Sequence, residues 1–422
     1  MAEMKDSGTA WLGMIPKDWE LSKISSIYEL RTQKVSDKDY PPLSVTMNGI
    51  VPQLDSAAKT NAHDDRKLVK KGDFAINSRS DRRGSCGVSE YDGSVSLINT
   101  VMKPRDEMNP DYYNWLFHTI QFADEFYKWG HGIVDDLWTT NWQDMKHIDI
   151  PVPTLDEQKV IADYLNKAIP EIDALHTDIE KQIEILEEYK KSIITEAVTK
   201  GLINININGT QVDFTNTTDE QWECKKLKLL VAMPIIDGPH ESPELCDTGI
   251  PYISATAIVD GKIDFNLMRG YISEEYCTEC EKRYKPQLND ILVVKLGAGT
   301  GQVAMVDDNR KFNIWVPLAA VRCNELVIPK FIYYGFQSDY VVTQMEQSWT
   351  YGTQETLGVK TIEKLKFFIP TLNTQRKIIQ YLDNKCVNID GAIEEKKEQL
   401  DTLEQYKKSL IYEYVTGKKE VK

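Results

Sequence analysis

Pro153-Thr154-Leu155-Asp156-Glu157-Gln158 returns 217 residues later as Pro370-Thr371-Leu372-Asn373-Thr374-Gln375. The same offset, without a gap, pairs Tyr164-Leu165 with Tyr381-Leu382 and Ile172-Asp173 with Ile389-Asp390. It also pairs Tyr189-Lys190-Lys191-Ser192 with Tyr406-Lys407-Lys408-Ser409, and Val198-Thr199 with Val415-Thr416. Between 153–199 and 370–416, 20 of 47 positions are identical, too many for two unrelated segments. The period is too long for a solenoid, so the chain is a two-fold duplication of a larger unit.

Both copies carry a helical stripe. In the first, Ile172, Leu175, Ile179, Ile183, Leu186, Tyr189, Ile193 and Ala197 follow one another at steps of three and four. In the second, Ile389, Ile393, Leu400, Leu403, Leu410 and Tyr414 do so, with Lys396 interrupting. Thr154 and Thr371 are the expected N-caps. Pro170 is expected to break the first copy into a short and a long helix, the long part spanning roughly 43 Å at ~1.5 Å per residue. Two narrow stripes flanked by Glu and Lys suit an antiparallel coiled coil acting as a spacer. Two surface helices, each packed on its own domain, are the alternative.

Four segments follow: residues 1–152 and 202–369 as globular parts, 153–201 and 370–422 as the repeat helices. The globular parts read as diverged copies of one α+β domain. Asn289-Asp290-Ile291-Leu292-Val293-Val294-Lys295 is a buried-strand pattern after a turn. Its counterpart, Gly72-Asp73-Phe74-Ala75-Ile76, lies at the 217 offset. Helices are expected near 110–128 and 329–347, and the Asn- and Thr-rich run 202–218 reads as a connector. The fold class is thus α+β, with two similar domains joined by two long antiparallel coiled-coil helices in a pseudo-two-fold arrangement.

The chain carries 50 Lys+Arg against 65 Asp+Glu, a net charge of −15. That total argues against a simple basic nucleic-acid footprint, so any such role needs local basic patches or a partner's surface. No apolar run is long enough for a membrane helix, and Met1-Ala2-Glu3-Met4-Lys5-Asp6 lacks an apolar signal core. Seven scattered cysteines form no disulfide framework, pointing to a reducing, cytoplasmic compartment.

Motifs for chemistry are weak. Gly297-Ala298-Gly299-Thr300-Gly301-Gln302 lacks the Gly-Lys-[Ser/Thr] of a P-loop and leads into a strand. Asn109-Pro110-Asp111-Tyr112 departs from the amino-methyltransferase Asn-Pro-Pro-Tyr and reads as a helix cap. Cys277-Thr278-Glu279-Cys280 has no second pair at zinc spacing. No catalytic constellation and no metal site emerge.

Loops carry more. Residues 77–85 set Ser78, Arg79, Ser80, Arg82 and Arg83 in a Gly/Ser context, suited to phosphate contacts or to bidentate reading of guanine. A solvated loop of ion pairs has the same composition. Lys295, Thr300 and Gln302 occupy the equivalent second loop. Tyr351, Thr353 and Gln354 form a polar, aromatic stretch whose partner in the first domain runs from His131 to Trp138. Asp237 and His240 bracket a further polar turn.

These features together resemble the specificity (S) subunit of type I restriction–modification enzymes. The resemblance rests on Trp11-Leu12-Gly13-Met14-Ile15-Pro16-Lys17-Asp18-Trp19, on the two Pro-Thr-Leu-x-x-Gln openings and the two Tyr-Lys-Lys-Ser ends. It also rests on Asp237-Gly238-Pro239-His240 before Ser242-Pro243. The second opening, Gln221-Trp222-Glu223, lacks the full Trp…Gly…Pro pattern. The resemblance implies two target recognition domains, each reading one half of a bipartite site in double-stranded DNA. It implies helices that set the gap and dock two methyltransferase subunits, with restriction subunits completing the assembly. Residues recurring in both helices are then the expected partner contacts: Gln158 and Gln375, Tyr164 and Tyr381, Tyr189 and Tyr406. No cofactor is expected in this chain; S-adenosylmethionine, ATP and Mg belong to the partners, and this subunit is not catalytic. A stand-alone methyltransferase or nuclease, or a scaffold without a DNA role, are the alternatives.

Overall fold

The structure is a computed structural model describing residues 3–54, 64–106, 108–132, 138–201, 205–207, 210–212, 222–297, 299–351 and 355–421. It resolves into two compact units, residues 1–180 with 398–422, and residues 181–397.

In the first unit, strands β1 (Tyr28–Leu30), β2 (Phe74–Asn77), β3 (Cys86–Val88) and β4 (Asn99–Pro104) form an antiparallel sheet in the order β3-β2-β4-β1. Arg66–Val69 pairs between Gly93–Val95 and Lys34–Val35 in a second, antiparallel sheet. Helices α1 (Pro110–Phe117) and α2 (Ile120–Lys128) pack on the first sheet through an aromatic core of Tyr28, Phe74, Tyr113, Phe117 and Phe122. Asn109 caps α1, accepting the Asp111 and Tyr112 amides at 2.9 and 3.1 Å, as expected of the Asn-Pro-Asp-Tyr stretch. Glu20–Lys23 pairs with Asp149–Val152, which leads into α3 (Leu155–Lys200).

The second unit repeats the plan. Strands β5 (Ile236–Asp237), β6 (Ile291–Val294), β7 (Val303–Met305) and β8 (Leu318–Val321) run in the order β7-β6-β8-β5, again antiparallel. The hairpins share their register: Ile76 faces Cys86 in one and Val293 faces Val303 in the other. Helices α4 (Pro329–Gln337) and α5 (Asp339–Glu346) follow, and Glu223–Lys226 pairs with Lys366–Ile369 before α6 (Leu372–Val415). The second sheet has diverged, because here Ile250–Ile253 runs parallel to Asn313–Ile314. Trp222 directly precedes its strand as Trp19 precedes Glu20–Lys23.

Each of the two helices expected before the repeats is in fact a pair. Thr119 and Ser338 end one helix and cap the next, accepting the Phe122 and Val341 amides at 3.2 and 3.3 Å. Their hydroxyls compete for the backbone and restart it at an angle. From the connector, only Ile205–Ile207 and Thr210–Val212 are described, paired antiparallel.

Thr154 and Glu157 form a capping box: the Thr154 amide donates to Glu157 Oε2 at 2.9 Å, and the Glu157 amide reaches Thr154 Oγ1 at 3.4 Å. The Thr374 amide reaches Thr371 Oγ1 at 3.4 Å in the second copy. The break expected at Pro170 does not occur, and α3 runs through it. The ring sits on the exposed side of the helix. Buried Leu165, Ile169 and Ile179 hold the backbone on either side. Leu175, placed in the stripe by spacing, is half exposed.

Within each unit one half of α3 lies antiparallel to one half of α6. In the first, Tyr164 meets Tyr414 at 4.5 Å and Lys407 reaches Asp173 at 2.5 Å. In the second, Ile193 packs with Ile389 and Ile393, and Lys190 reaches Asp390 at 2.6 Å. Residues 190 and 390 are the repeat equivalents of 407 and 173. One ion pair is therefore built twice, with the two helices exchanging roles.

Candidate nucleic-acid interface

The turn between β2 and β3 is fixed by its own backbone. The Asn77 amide donates to the Ser85 carbonyl at 2.8 Å, and the Arg79 amide to Asn77 Oδ1 at 3.1 Å. A 3-10 turn covers Ser80–Arg82, and Gly84 closes it at φ +77°, a conformation that favours glycine. From beneath, the Tyr127 hydroxyl donates to the Asn77 and Arg82 carbonyls at 3.2 and 3.3 Å.

A second segment lies against this turn. The Ser80 amide donates to the Trp138 carbonyl at 2.9 Å, and the Thr140 amide to the Ser78 carbonyl at 2.9 Å. Thr139 bridges to both Arg79 and His131. The structure thus gathers Arg79, Ser80, Arg82, Arg83, His131 and Trp138 at one end of the sheet. Ser78 is a correction: it is buried, its hydroxyl 3.0 Å from that of Thr100, and it faces the interior.

The second domain repeats the junction at the 217 offset. The Leu357 amide donates to the Lys295 carbonyl at 2.8 Å, and Leu296 bridges Thr356, as Thr140 does with Ser78 and Arg79 with Thr139. Gln302 is exposed at the exit of this loop. Thr300 is buried and donates to the Gly297 carbonyl at 2.7 Å, which shapes the turn rather than offering a free hydroxyl. Tyr351 lies in Thr350–Tyr351, paired with Glu355–Thr356. Thr353 and Gln354 lie outside the described residues.

The charges at these turns are organised around carboxylates. Asp81 holds Arg79 at 3.1 Å and Arg82 at 3.9 Å. Arg83 pairs with Asp124 and lies 5.7 Å from the Tyr127 ring centroid. His131 lies 3.3 Å from Asp144. In the second domain two cations and an imidazole converge on Asp237: Lys295 at 2.7 Å, Arg283 at 2.8 Å and His240 at 3.3 Å. Burial opposes charge on Asp237, but the Lys295 hydrogen bond and the charges of Lys295, Arg283 and His240 outweigh it and hold the carboxyl below its ordinary range. Lys295, named among the loop residues for DNA contact, is buried in this pair. Gly238 lies where a Cβ would come within 2.3 Å of the Trp315 backbone, so the turn beside Asp237 demands glycine. Sequence reasoning missed Arg283, because nothing local marks a residue whose partner lies 46 positions away.

The expected partner contacts divide. Gln158 and Gln375 are buried and structural, a second correction. Gln158 accepts the Asn109 amide at 2.8 Å and donates to Pro153; Gln375 accepts the Ile328 amide at 2.8 Å and donates to Pro370. Each ties a helix opening to the N-terminus of α1 or α4. Tyr381 is buried in the core and Tyr164 is stacked on Tyr414. Tyr189 and Tyr406, repeat equivalents, are each 50% exposed.

The type I restriction modification DNA specificity domain matches the chain twice, over residues 16–185 and 220–408. The chain belongs to this family. The chain is 24% identical over 439 residues to the putative type I restriction enzyme MjaX specificity subunit of Methanocaldococcus jannaschii, covering 97% of this chain and 96% of that one. It is 26% identical over 250 residues to the EcoBI specificity subunit of Escherichia coli, covering 57% and 52%. Its fold is similar to that of a chain from the solved work "Structural basis underlying complex assembly and conformational transition of the type I R-M system", with a TM-score of 0.70, 13% identity and coverage of 96% and 99%. The HsdS subunit of Thermoanaerobacter tengcongensis gives 0.51, with 14% identity and coverage of 98% and 99%. Among the described residues of this specificity chain, no helix is long and apolar enough to cross a membrane.

Proposed function

We propose that this chain is the DNA sequence-specificity subunit of a type I restriction–modification complex and does no chemistry itself. One observation carries the reading: the same backbone junction, 78–85 against 138–140 and 295–302 against 356–357, bears unlike side chains in the two domains. A shared scaffold with diverged loops is what reading two different half-sites requires. In the first domain Arg79, Arg82 and Arg83 supply forks matched to guanine edges or phosphates. In the second, Gln302, His240 and Arg283 offer amide, imidazole and guanidinium groups. The partners are double-stranded DNA and two methyltransferase subunits, with restriction subunits in the full assembly. The exposed tyrosines Tyr189 and Tyr406 are the docking contacts, two equal faces for two equal partners. S-adenosylmethionine, ATP and Mg are supplied by those partners, which methylate adenine, translocate and cut, and the complex works in the cytoplasm. The net charge of −15 fits a subunit that borrows much of its phosphate contact from its partners.

Gel shift with and without co-purified methyltransferase subunits tests this, guided by methylome sequencing of cells with and without the chain. The expected result is a bipartite site bound by the complex with steep salt dependence. Failure to bind DNA in every assembly overturns the proposal.

A further inference from the structure

The loop cluster of each domain holds its cations on a carboxylate, Asp81 within the first turn and Asp237 on the neighbouring strand β5. Asp81 sits between Arg79 and Arg82, and Asp237 sits among Lys295, Arg283 and His240. In both clusters two Lys or Arg side chains face one carboxylate, so each cluster keeps a positive excess in an acidic chain. Asp124 holds the third loop arginine, Arg83, from α2.

We propose that Asp81 and Asp237 are specificity-determining residues that act through the cations they hold. This rests on the DNA-reading role proposed above. A carboxylate beside an arginine does two things. It fixes the guanidinium in one direction, which lowers the ordering cost of binding a matched base. It also competes with any phosphate that approaches, and its own charge repels the DNA backbone. Random duplex offers phosphates but not the matched base edges in place of the carboxylate, so it gains little. A matched half-site adds base-edge hydrogen bonds and displaces or shares the carboxylate with a net gain. The side chains of Arg79, Arg82 and Asp81 are 40%, 68% and 37% exposed, so these pairs lie within reach of a phosphate, and such exposed pairs are weak enough to yield. The carboxylates thus act chiefly against the wrong DNA, which is how a difference in affinity becomes selectivity.

The test uses the full chain co-purified with its methyltransferase subunits. The probes are a fluorescent random-sequence duplex and a duplex carrying the methylome-derived site, titrated between 50 and 300 mM KCl. Asp81→Asn is expected to bind the random duplex about five- to tenfold tighter near 0.1 M salt, with a log–log salt slope steeper by about 0.9, the signature of one additional phosphate contact. Affinity for the specific duplex changes less, so the specificity ratio falls. Asp81→Glu, which keeps the charge, restores the wild-type ratio and slope. Asp237→Asn is expected to act the same way in the second domain. Because Lys295 is buried beside Asp237, thermal melting accompanies that variant, and Asp81→Asn carries the test independently. Random-duplex affinity and slope unchanged or reduced in Asp81→Asn overturn the inference while leaving the proposed function intact. A wild-type complex that prefers no duplex overturns the function itself.

Discussion

Asp73 and Asp290 occupy one turn in the two domains. Asp73 accepts Arg31 through two nitrogens at 2.5 and 2.9 Å and the Lys70 amide at 2.8 Å. Asp290 accepts Arg322 at 2.7 Å twice, the Gln287 amide at 2.9 Å and the Tyr284 hydroxyl at 2.8 Å. The carboxylate and its amide donor sit at repeat positions, yet the arginine comes from a different strand end in each domain. Asp73→Ala leaves Arg31 without its partner and is expected to cost about 3–5 kcal/mol in urea denaturation followed on the first domain's own transition. Asp237 gives a pH prediction. Its folded pKa lies below the unfolded value of 3.8, so the unfolded state holds more protons as pH falls. The stability that wild type holds over Asp237→Asn is complete above about pH 5, and it declines through the unfolded value and vanishes below the lowered folded one. Thermal melts from pH 7 to pH 2 measure it, and a gap that widens on acidification contradicts it. At this scale the sequence marked which residues mattered better than how. Gln158 and Gln375 recur because each caps a distant helix, while Ser78 and Arg79 are neighbours that face opposite ways.

At the scale of elements, the two long helices were legible because their stripes, caps and recurrence agree. The uninterrupted course of α3 was not. A mid-helix proline costs about 3 kcal/mol relative to alanine, and the propensity argument alone predicts a break. Burial of Leu165, Ile169 and Ile179 offsets that cost, and the ring faces water. Pro170→Ala is expected to stabilise the first unit by up to about 3 kcal/mol, read as a raised melting temperature, and a lowered one would show that the proline is needed for the helix path. Gln158→Ala leaves the Asn109 amide without its acceptor and is expected to cost about 1–3 kcal/mol. Gln375→Ala should cost a similar amount in the second unit, because Ile328 uses it in the same way.

At the scale of the whole molecule, the chain is one plan used twice. Cores and loops have diverged while the junctions that place the loops have not. The first core is an aromatic chain through Phe74, Phe117 and Phe122, whereas the second packs Ile291 and Val293 beside Phe331 and Phe336, with Leu292 and Val294 in a separate cluster with Phe312. Each domain should therefore be exchangeable. Replacing residues 222–369 with the matching domain of another family member should change one half of the methylated site and leave the other, as methylome sequencing would read. Changes in both halves, or in neither, would contradict independent reading. Replacing Arg79, Arg82 and Arg83 together with alanine should lower the affinity of the complex and flatten its salt slope by up to about 0.9 per lost phosphate contact.

The sequence by itself determined the duplication, the paired helices, the likeness of the two domains and the loops that interrupt their hairpins. Each of these is written in local periodicity or in a fixed offset, and needs no knowledge of what packs on what. Only the tertiary structure decided which recurrent side chains turn inward and which cations are held. Arg283 and Lys295 reach Asp237 from elements far apart in the chain, and Gln158 meets Asn109 across 49 residues. Such meetings depend on how whole elements pack, and packing leaves no signature in any short stretch of sequence.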